Sequence, residues 1–194
     1  DLHSFPTRRS SDLHIALAAY ALEKEHVILR DANAFNVSDG RTHHRGAEYE
    51  LAWRMSDRWR ALASGTFARH TYAFTRAAEA GETITDGNDV DTAPRRAHHL
   101  SLAGSPLAAL AVELELAYVG EYFVDAANTA KYPGHALLNA RARYDIGDAW
   151  HATLRITNAT DRRYADRADF AFGDYRYFPG RERSAFLEIG YSPR

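Results

Sequence analysis

The chain has 194 residues, enough for one domain, with 24 Lys and Arg against 26 Asp and Glu, a net charge of −2 and no cysteine. That balance excludes a global basic field of the kind nucleic acid binding requires, and the missing thiols exclude a disulfide framework, a cysteine nucleophile and a thiolate metal site. No apolar run approaches the roughly 18 residues of a membrane helix, a test to which β-barrels are blind because only alternate strand residues face lipid.

Residues 1–13 (Asp1-Leu2-His3-Ser4-Phe5-Pro6-Thr7-Arg8-Arg9-Ser10-Ser11-Asp12-Leu13) show neither apolar period nor capping pattern. They back-translate into a stretch that resembles a short-read sequencing adapter, so they are expected to be a non-native, disordered addition. From residue 14 onward, alternating segments recur between turn signals. Ile15 to Arg30 is long, with a bend expected near Glu23-Lys24-Glu25; the helix propensity of its Ala-Leu-Glu composition leaves helix and strand both open for Ile15 to Leu22. His43 to Arg54 places Ala47, Tyr49, Leu51 and Trp53 on one face and Glu48, Glu50 and Arg54 on the other. Trp59 to Phe67 places Trp59, Ala61, Ala63, Gly65 and Phe67 together, with Leu62 the exception on the polar side. A short segment, Ala97 to Gly104, follows. Leu110 to Tyr118 alternates most strictly, Leu110, Val112, Leu114, Leu116 and Tyr118 against Glu113 and Glu115. Leu138 to Tyr144, Trp150 to Thr157 and Ser184 to Tyr191 repeat the pattern, with Arg141, Arg143 and Arg155 on the polar side.

The connections alternate in length. Residues 55–58, 105–108 and 145–148 are short; 31–41, 74–96, 123–134 and 160–180 are long and rich in Gly, Asn, Asp, Arg and aromatics. Short turns on one side and long loops on the other predict an all-β, antiparallel, up-and-down transmembrane barrel segment of about eight strands. Trp53, Trp59, Tyr144 and Trp150 flank the short turns and suit a periplasmic aromatic girdle, with Tyr118 and Tyr191 also near strand ends. An aqueous β-sandwich would alternate in the same way, its apolar face inside.

Short motifs appear in order along this pattern. Arg45-Gly46-Ala47-Glu48-Tyr49-Glu50 precedes Ser56-Asp57-Arg58-Trp59; Ala93-Pro94-Arg95-Arg96, Tyr118-Val119-Gly120-Glu121 and Tyr132-Pro133-Gly134 follow. The last are Asn158-Ala159-Thr160-Asp161-Arg162-Arg163-Tyr164 and Tyr177-Phe178-Pro179-Gly180-Arg181-Glu182-Arg183, before the final amphipathic run. The order and spacing over residues 14–194 resemble the C-terminal barrel of a TonB-dependent outer-membrane receptor. The resemblance implies a 22-stranded barrel of which this chain holds about the last eight strands. It also implies outer-membrane residence in a Gram-negative bacterium, uptake of an iron-siderophore or similar chelate, and coupling to the TonB complex through an N-terminal region and plug outside this stretch. Outer-membrane lipid and lipopolysaccharide are the surrounding partners it implies. By itself the segment is expected not to transport. The alternatives are a self-contained eight-stranded outer-membrane barrel with an adhesion or structural role, and a lipocalin-like soluble barrel or β-domain enzyme.

No catalytic constellation, dinucleotide fingerprint or P-loop is present, so no enzyme, cofactor or metal site is expected. Glu48, Glu50, Glu113, Glu115, Arg141, Arg143 and Arg155 are expected to face the barrel lumen and pair with one another or with a plug. Arg76, Arg95, Arg96, Tyr175, Arg176 and Tyr177 are the candidates for contact with an anionic, oxygen-rich chelate, beside the simpler reading of loop solvation and lipopolysaccharide contact. Asn158, Asp161, Tyr164, Pro179, Gly180 and Arg181 read as strand-exit and turn chemistry. His43-His44 and His98-His99 are each split across strand faces, although one member of each pair is expected near the other at the outer strand ends, too few nitrogens for a structural zinc site. Asp86, Asp89 and Asp91 resemble a calcium loop only loosely, lacking its Glu.

Overall fold

The computed structural model describes residues 13–171 and 173–192. The strands in chain order are β1 (Leu13–Arg30), β2 (Asn36–Arg54), β3 (Trp59–Tyr72), β4 (Arg76–Ala77), β5 (Thr83–Ile84), β6 (Arg96–Leu107) and β7 (Leu110–Val119). They continue with β8 (Tyr122–Phe123), β9 (Lys131–Tyr132), β10 (His135–Ile146), β11 (Trp150–Thr157), β12 (Ala165–Ala171), β13 (Asp174–Pro179) and β14 (Ser184–Tyr191). Eight of them form one antiparallel sheet in the order β1-β2-β3-β6-β7-β10-β11-β14, a meander in which each strand pairs with the next. The remaining six form three small hairpins, each inside one long connection.

Cross-strand pairing aligns the apolar halves of all eight strands on one face. Leu17 pairs with Tyr49, Tyr49 with Gly65, Gly65 with His98, Leu100 with Leu116, Leu116 with Leu138, Ala142 with Leu154 and Leu154 with Leu187. Among the described residues no second layer covers this face: Leu114 at mid-sheet is 49% exposed and Leu187 is 70% exposed. A sandwich would bury those leucines, so the sheet has the uncovered apolar wall of a barrel whose solvent on that side is lipid. Trp53, Trp59, Tyr144, Trp150 and Tyr191 sit on this same face at the short-turn end, with Trp150 and Tyr191 4.7 Å apart between ring centroids.

Several boundaries differ from the sequence reading. Ile15 to Leu22 is strand, fixed by its continuous ladder with β2. The bend in β1 is a bulge, a register shift between Lys24 and Val27 with His26 at φ 56°. Residues 36–41, expected in a loop, belong to β2 because β1 continues alongside them; the connection shrinks to a turn in which Asp31 Oδ1 accepts the amides of Asn33 and Phe35, both at 2.9 Å. Ser105 to Leu107, expected in a turn, lies in β6 past a register shift after Gly104. Leu13, which the sequence reading grouped with an expected non-native addition, opens β1 opposite Trp53. Residues 1–12 lie outside the described residues.

Candidate functional site

The long connections leave the sheet at one end, and of the buried apolar side chains among the described residues all but Ala68 and Ala103 gather in two clusters there. Val124, Ala130, Tyr132, Ala165 and Ala168 form one cluster, flanked by Tyr122 and Phe170; Tyr72, Ala78 and Ile84 form the other, flanked by Leu29, Phe74, Val90 and Ala126. The connections are thus a folded layer with its own core, held to one another by backbone bonds: Thr92 N–H to Phe123 O at 2.8 Å and Phe170 N–H to Val124 O at 3.1 Å.

Polar ties complete the layer. Asp89, 8% exposed, binds Arg69 Nε at 3.3 Å and Arg95 at 2.6–2.7 Å. Its amide donates to Asn128 Oδ1 at 2.7 Å, and Asn128 Nδ2 donates back to its carbonyl at 2.8 Å. Asp125 accepts the amides of Thr129 and Ala130 and the Thr129 hydroxyl, closing the 125–130 turn. Glu82 Oε2 accepts the Ala126 amide at 3.1 Å; its carboxyl lies above the usual carboxylate range because burial, then the nearby Asp125 and Asp91, disfavour its charge. Asp91 accepts the Tyr72 hydroxyl at 2.6 Å, and among the described residues no group of three or more acidic or histidine side chains is arranged to hold a metal ion.

Three of the sequence-predicted loop cations are already paired. Arg76 forms a bidentate pair with Asp39, Arg95 pairs with Asp89, and Arg176 Nε donates to Asp169 at 2.6 Å. Arg96 opens β6 on the apolar face, opposite Phe67. Tyr175 and Tyr177 stack at 5.8 Å with a 7° interplanar angle and stay about half exposed, so β13 presents two parallel rings with the Arg176 guanidinium on its other side. Burial raises the hydroxyl pKa of Tyr122 and of Tyr164, and both act as neutral phenols.

Glu48, Glu50, Glu113, Glu115, Arg141, Arg143 and Arg155 share the face opposite the leucines. Glu113 pairs across the ladder with Ala103 and Arg141 and accepts the Ser101 hydroxyl at 3.1 Å; Glu115 meets His99 Nε2 at 2.9 Å. Arg141 and Arg155 are direct cross-strand partners. The histidines meet differently from the sequence expectation. β2 and the strand carrying His98 are separated by β3, so His44 contacts His70, Nδ1 to Nδ1 at 2.8 Å, while His98 packs against Phe67, Tyr49 and Tyr118.

The strand-exit residues form a clasp. Asn158, 3% exposed with φ 50°, donates from Nδ2 to the carbonyls of Arg162 and Arg181 at 2.9 and 3.1 Å and accepts the Arg162 amide at 2.8 Å. Asp161 accepts the Arg183 amide, and Pro179 closes β13 opposite Ala165. The Gly180 amide donates to Tyr164 O, and a Cβ on Gly180 would stand 2.1 Å from the Tyr164 ring. Gly134 is required twice, by φ 76° and by Val119 O, 2.3 Å from where a Cβ would go. Asp89, Asn128, Asp125, Glu82 and Tyr132 were not singled out by sequence; the Asp-x-x-Asn-Thr spelling of residues 125–129 is the one local signal that marks that turn.

An antiparallel meander with an uncovered leucine wall, an aromatic girdle at the short-turn end and folded loops at the other defines a segment of a transmembrane β-barrel. The chain belongs to the family described as TonB dependent receptor-like, beta-barrel, whose model matches residues 6–159. It is 29% identical over 200 residues to a ferrioxamine receptor of Yersinia enterocolitica, covering 94% of this chain and 25% of that protein. It is 23% identical over 184 residues to a probable TonB-dependent siderophore receptor, PiuA, of Acinetobacter baumannii, covering 92% of this chain and 24% of that one. The crystal structure of the siderophore receptor PiuA from Acinetobacter baumannii superposes with a TM-score of 0.77 at 24% identity, over 92% of this chain and 26% of that one. The ferric yersiniabactin uptake receptor FyuA of Yersinia pestis gives the same score at 18% identity, over 93% of this chain and 27% of that one. The chain therefore spans about a quarter of the length of these relatives, which are described as receptors and not as enzymes.

Proposed function

We propose that this chain is the C-terminal barrel portion of an outer-membrane receptor that takes up a ferric siderophore or similar iron chelate. The observation that carries the reading is the asymmetry of the meander: tight turns at one end, and at the other a folded loop layer that presents paired arginines and the stacked Tyr175 and Tyr177. In the whole receptor the polar face with Glu48, Glu50, Glu113, Glu115, Arg141, Arg143 and Arg155 lines the lumen against a plug, and energy arrives from TonB through regions outside this stretch. Residues 14–194 constitute the barrel portion. By itself the segment is not expected to transport. Arg76, Arg95, Arg96, Tyr175, Arg176 and Tyr177 are the contact candidates; for Arg76, Arg95 and Arg176 a chelate must displace or share a carboxylate, whereas the tyrosine pair is open. The closed eight-stranded alternative is disfavoured because, among the described residues, β1 and β14 each pair on one side only.

The test is iron-limited growth of a receptor-deficient Gram-negative host expressing the full-length receptor that contains this chain. Growth restored by a ferric siderophore, lost without TonB and weakened by Tyr175→Ala with Tyr177→Ala, is expected. Failure with every ferric chelate class, or TonB-independent rescue, overturns the reading.

A further inference from the structure

His44 and His70 are direct partners across the β2–β3 ladder, on the polar face that carries Glu48 and Glu50. Their chain neighbours His43, Arg45, Arg69 and Thr71 fall on the other face, because successive strand residues alternate. Directly opposite residues of an antiparallel pair hold their Cβ atoms about 4.5–5.5 Å apart, a spacing from which two imidazoles can close on one point. Here they do: Nδ1 of His44 lies 2.8 Å from Nδ1 of His70, with the ring centroids 4.9 Å apart and the rings tilted by 52°. The next pair outward on this face is Thr42 with Tyr72, and Tyr72 belongs to the core of the loop layer.

Two ring nitrogens this close share a proton, one donating and the other accepting. Thr42, 3% exposed, has its hydroxyl oxygen 2.8 Å from His44 Nε2. With Nε2–H donated to that oxygen, His44 Nδ1 presents a bare lone pair to His70. A hydrogen bond at the far nitrogen is how proteins fix the tautomer of a metal-bound histidine. A cation about 2.0–2.1 Å from each nitrogen, at angles between square and tetrahedral, holds them about 2.9–3.4 Å apart. The rings therefore need to part by only about 0.1–0.6 Å to chelate. Among the described residues neither ring is ion-paired to a carboxylate, so protonating both would set two like charges side by side. Imidazole donors without carboxylates favour zinc, copper or nickel over magnesium and calcium. Two protein nitrogens leave coordination positions open, as in exchangeable and not in structural sites.

We propose that His44 and His70 form a chelating site for a divalent cation of the zinc and copper class on the polar face of the sheet, beneath the loop layer. The site does not depend on which chelate the receptor carries. The test uses the full-length receptor that contains this chain, purified in detergent, stripped of metal with EDTA and titrated with copper(II) alone, then with zinc as competitor. Nitrogen hyperfine coupling is expected to show two imidazoles on copper in the native protein and one after His44→Gln or His70→Gln. Each of these variants is expected to weaken binding at least about tenfold. Thr42→Val, which keeps both ligands, is expected to weaken it about tenfold through the lost tautomer lock, and His43→Gln on the other face to leave it unchanged. Heat-modifiable gel mobility checks that each variant is folded. On the native protein, zinc is expected to protect His44 and His70, but not His43, from acylation by diethyl pyrocarbonate, read by mass spectrometry. Absence of copper binding, affinity unchanged by His44→Gln with His70→Gln, an equal loss from His43→Gln, or no selective protection overturns the proposal.

Discussion

Asn158 does the work of a small cross-brace. Its side chain bonds the backbone on both sides of the β11–β14 connection while its own φ of 50° sits where Asn is among the few tolerated residues. Asn158→Ala removes these bonds from a buried position and is expected to cost about 1–3 kcal/mol, whereas Asn158→Gly relieves the backbone term and loses only the side-chain bonds. Urea unfolding in lipid vesicles measures both, and equal stability of all three would refute the clasp. Glu82 gives the loops a pH dependence with a definite sign. Its folded pKa is raised, so its contribution is fully present below the unfolded value of 4.5 and is lost as pH rises through the folded value. Protease cleavage of residues 79–91 should therefore increase as pH rises from about 4.5, and Glu82→Gln, which can still accept the Ala126 amide, should flatten that rise. These two residues also mark the limit of what sequence discloses. Asn158 stands in a local turn pattern that any reader of Asn-x-Thr-Asp can spell out. Glu82, like Asp89, is defined by partners about forty positions away on another connection, and no local pattern encodes that meeting.

At the scale of elements, alternation carried most of the strand assignment, since a period of two sorts Leu110, Val112, Leu114 and Leu116 from Glu113 and Glu115 without knowledge of neighbours. It failed where side chains were polar on both faces. Residues 36–41 looked like loop because nothing in Asn36-Val37-Ser38-Asp39-Gly40-Arg41 alternates, yet a long partner strand supplies the hydrogen bonds that keep them extended. The two faces make opposite predictions. Leu114→Arg, flanked by Leu102 and Ala140 at mid-wall, should destabilise the folded chain in bilayers by about 2–4 kcal/mol. Ser64→Arg, opposite Glu50 on the polar face, should stay within about 0.5 kcal/mol. Equal effects would mean that the leucine face does not meet lipid.

For the molecule as a whole, the division of labour is unusual for a soluble domain: among the described residues most of the buried apolar core lies in the connections, and the sheet carries its large apolar residues outward. With β1 and β14 unpaired on their outer sides among the described residues, this sheet has both an open wall and open edges. Sedimentation in buffer without detergent should find it aggregated, and micelles should return it to small species; a monodisperse monomer in plain buffer would contradict the fold described. The strands also differ in reach. β1 and β2 have 18 and 19 residues and β3 has 14, whereas β11 and β14 have 8 each. At about 3.3 Å per residue and a tilt near 45°, the extra eight or nine residues of β2 lift its end some 20 Å above the headgroups. β11 and β14 are only about long enough to cross the bilayer, and the β12–β13 hairpin lies in the connection between them. The outer rim of this segment is cut on a slant, like the nib of a quill, tall at β1 and β2 and low where the tyrosine-bearing β12–β13 hairpin joins β11 to β14.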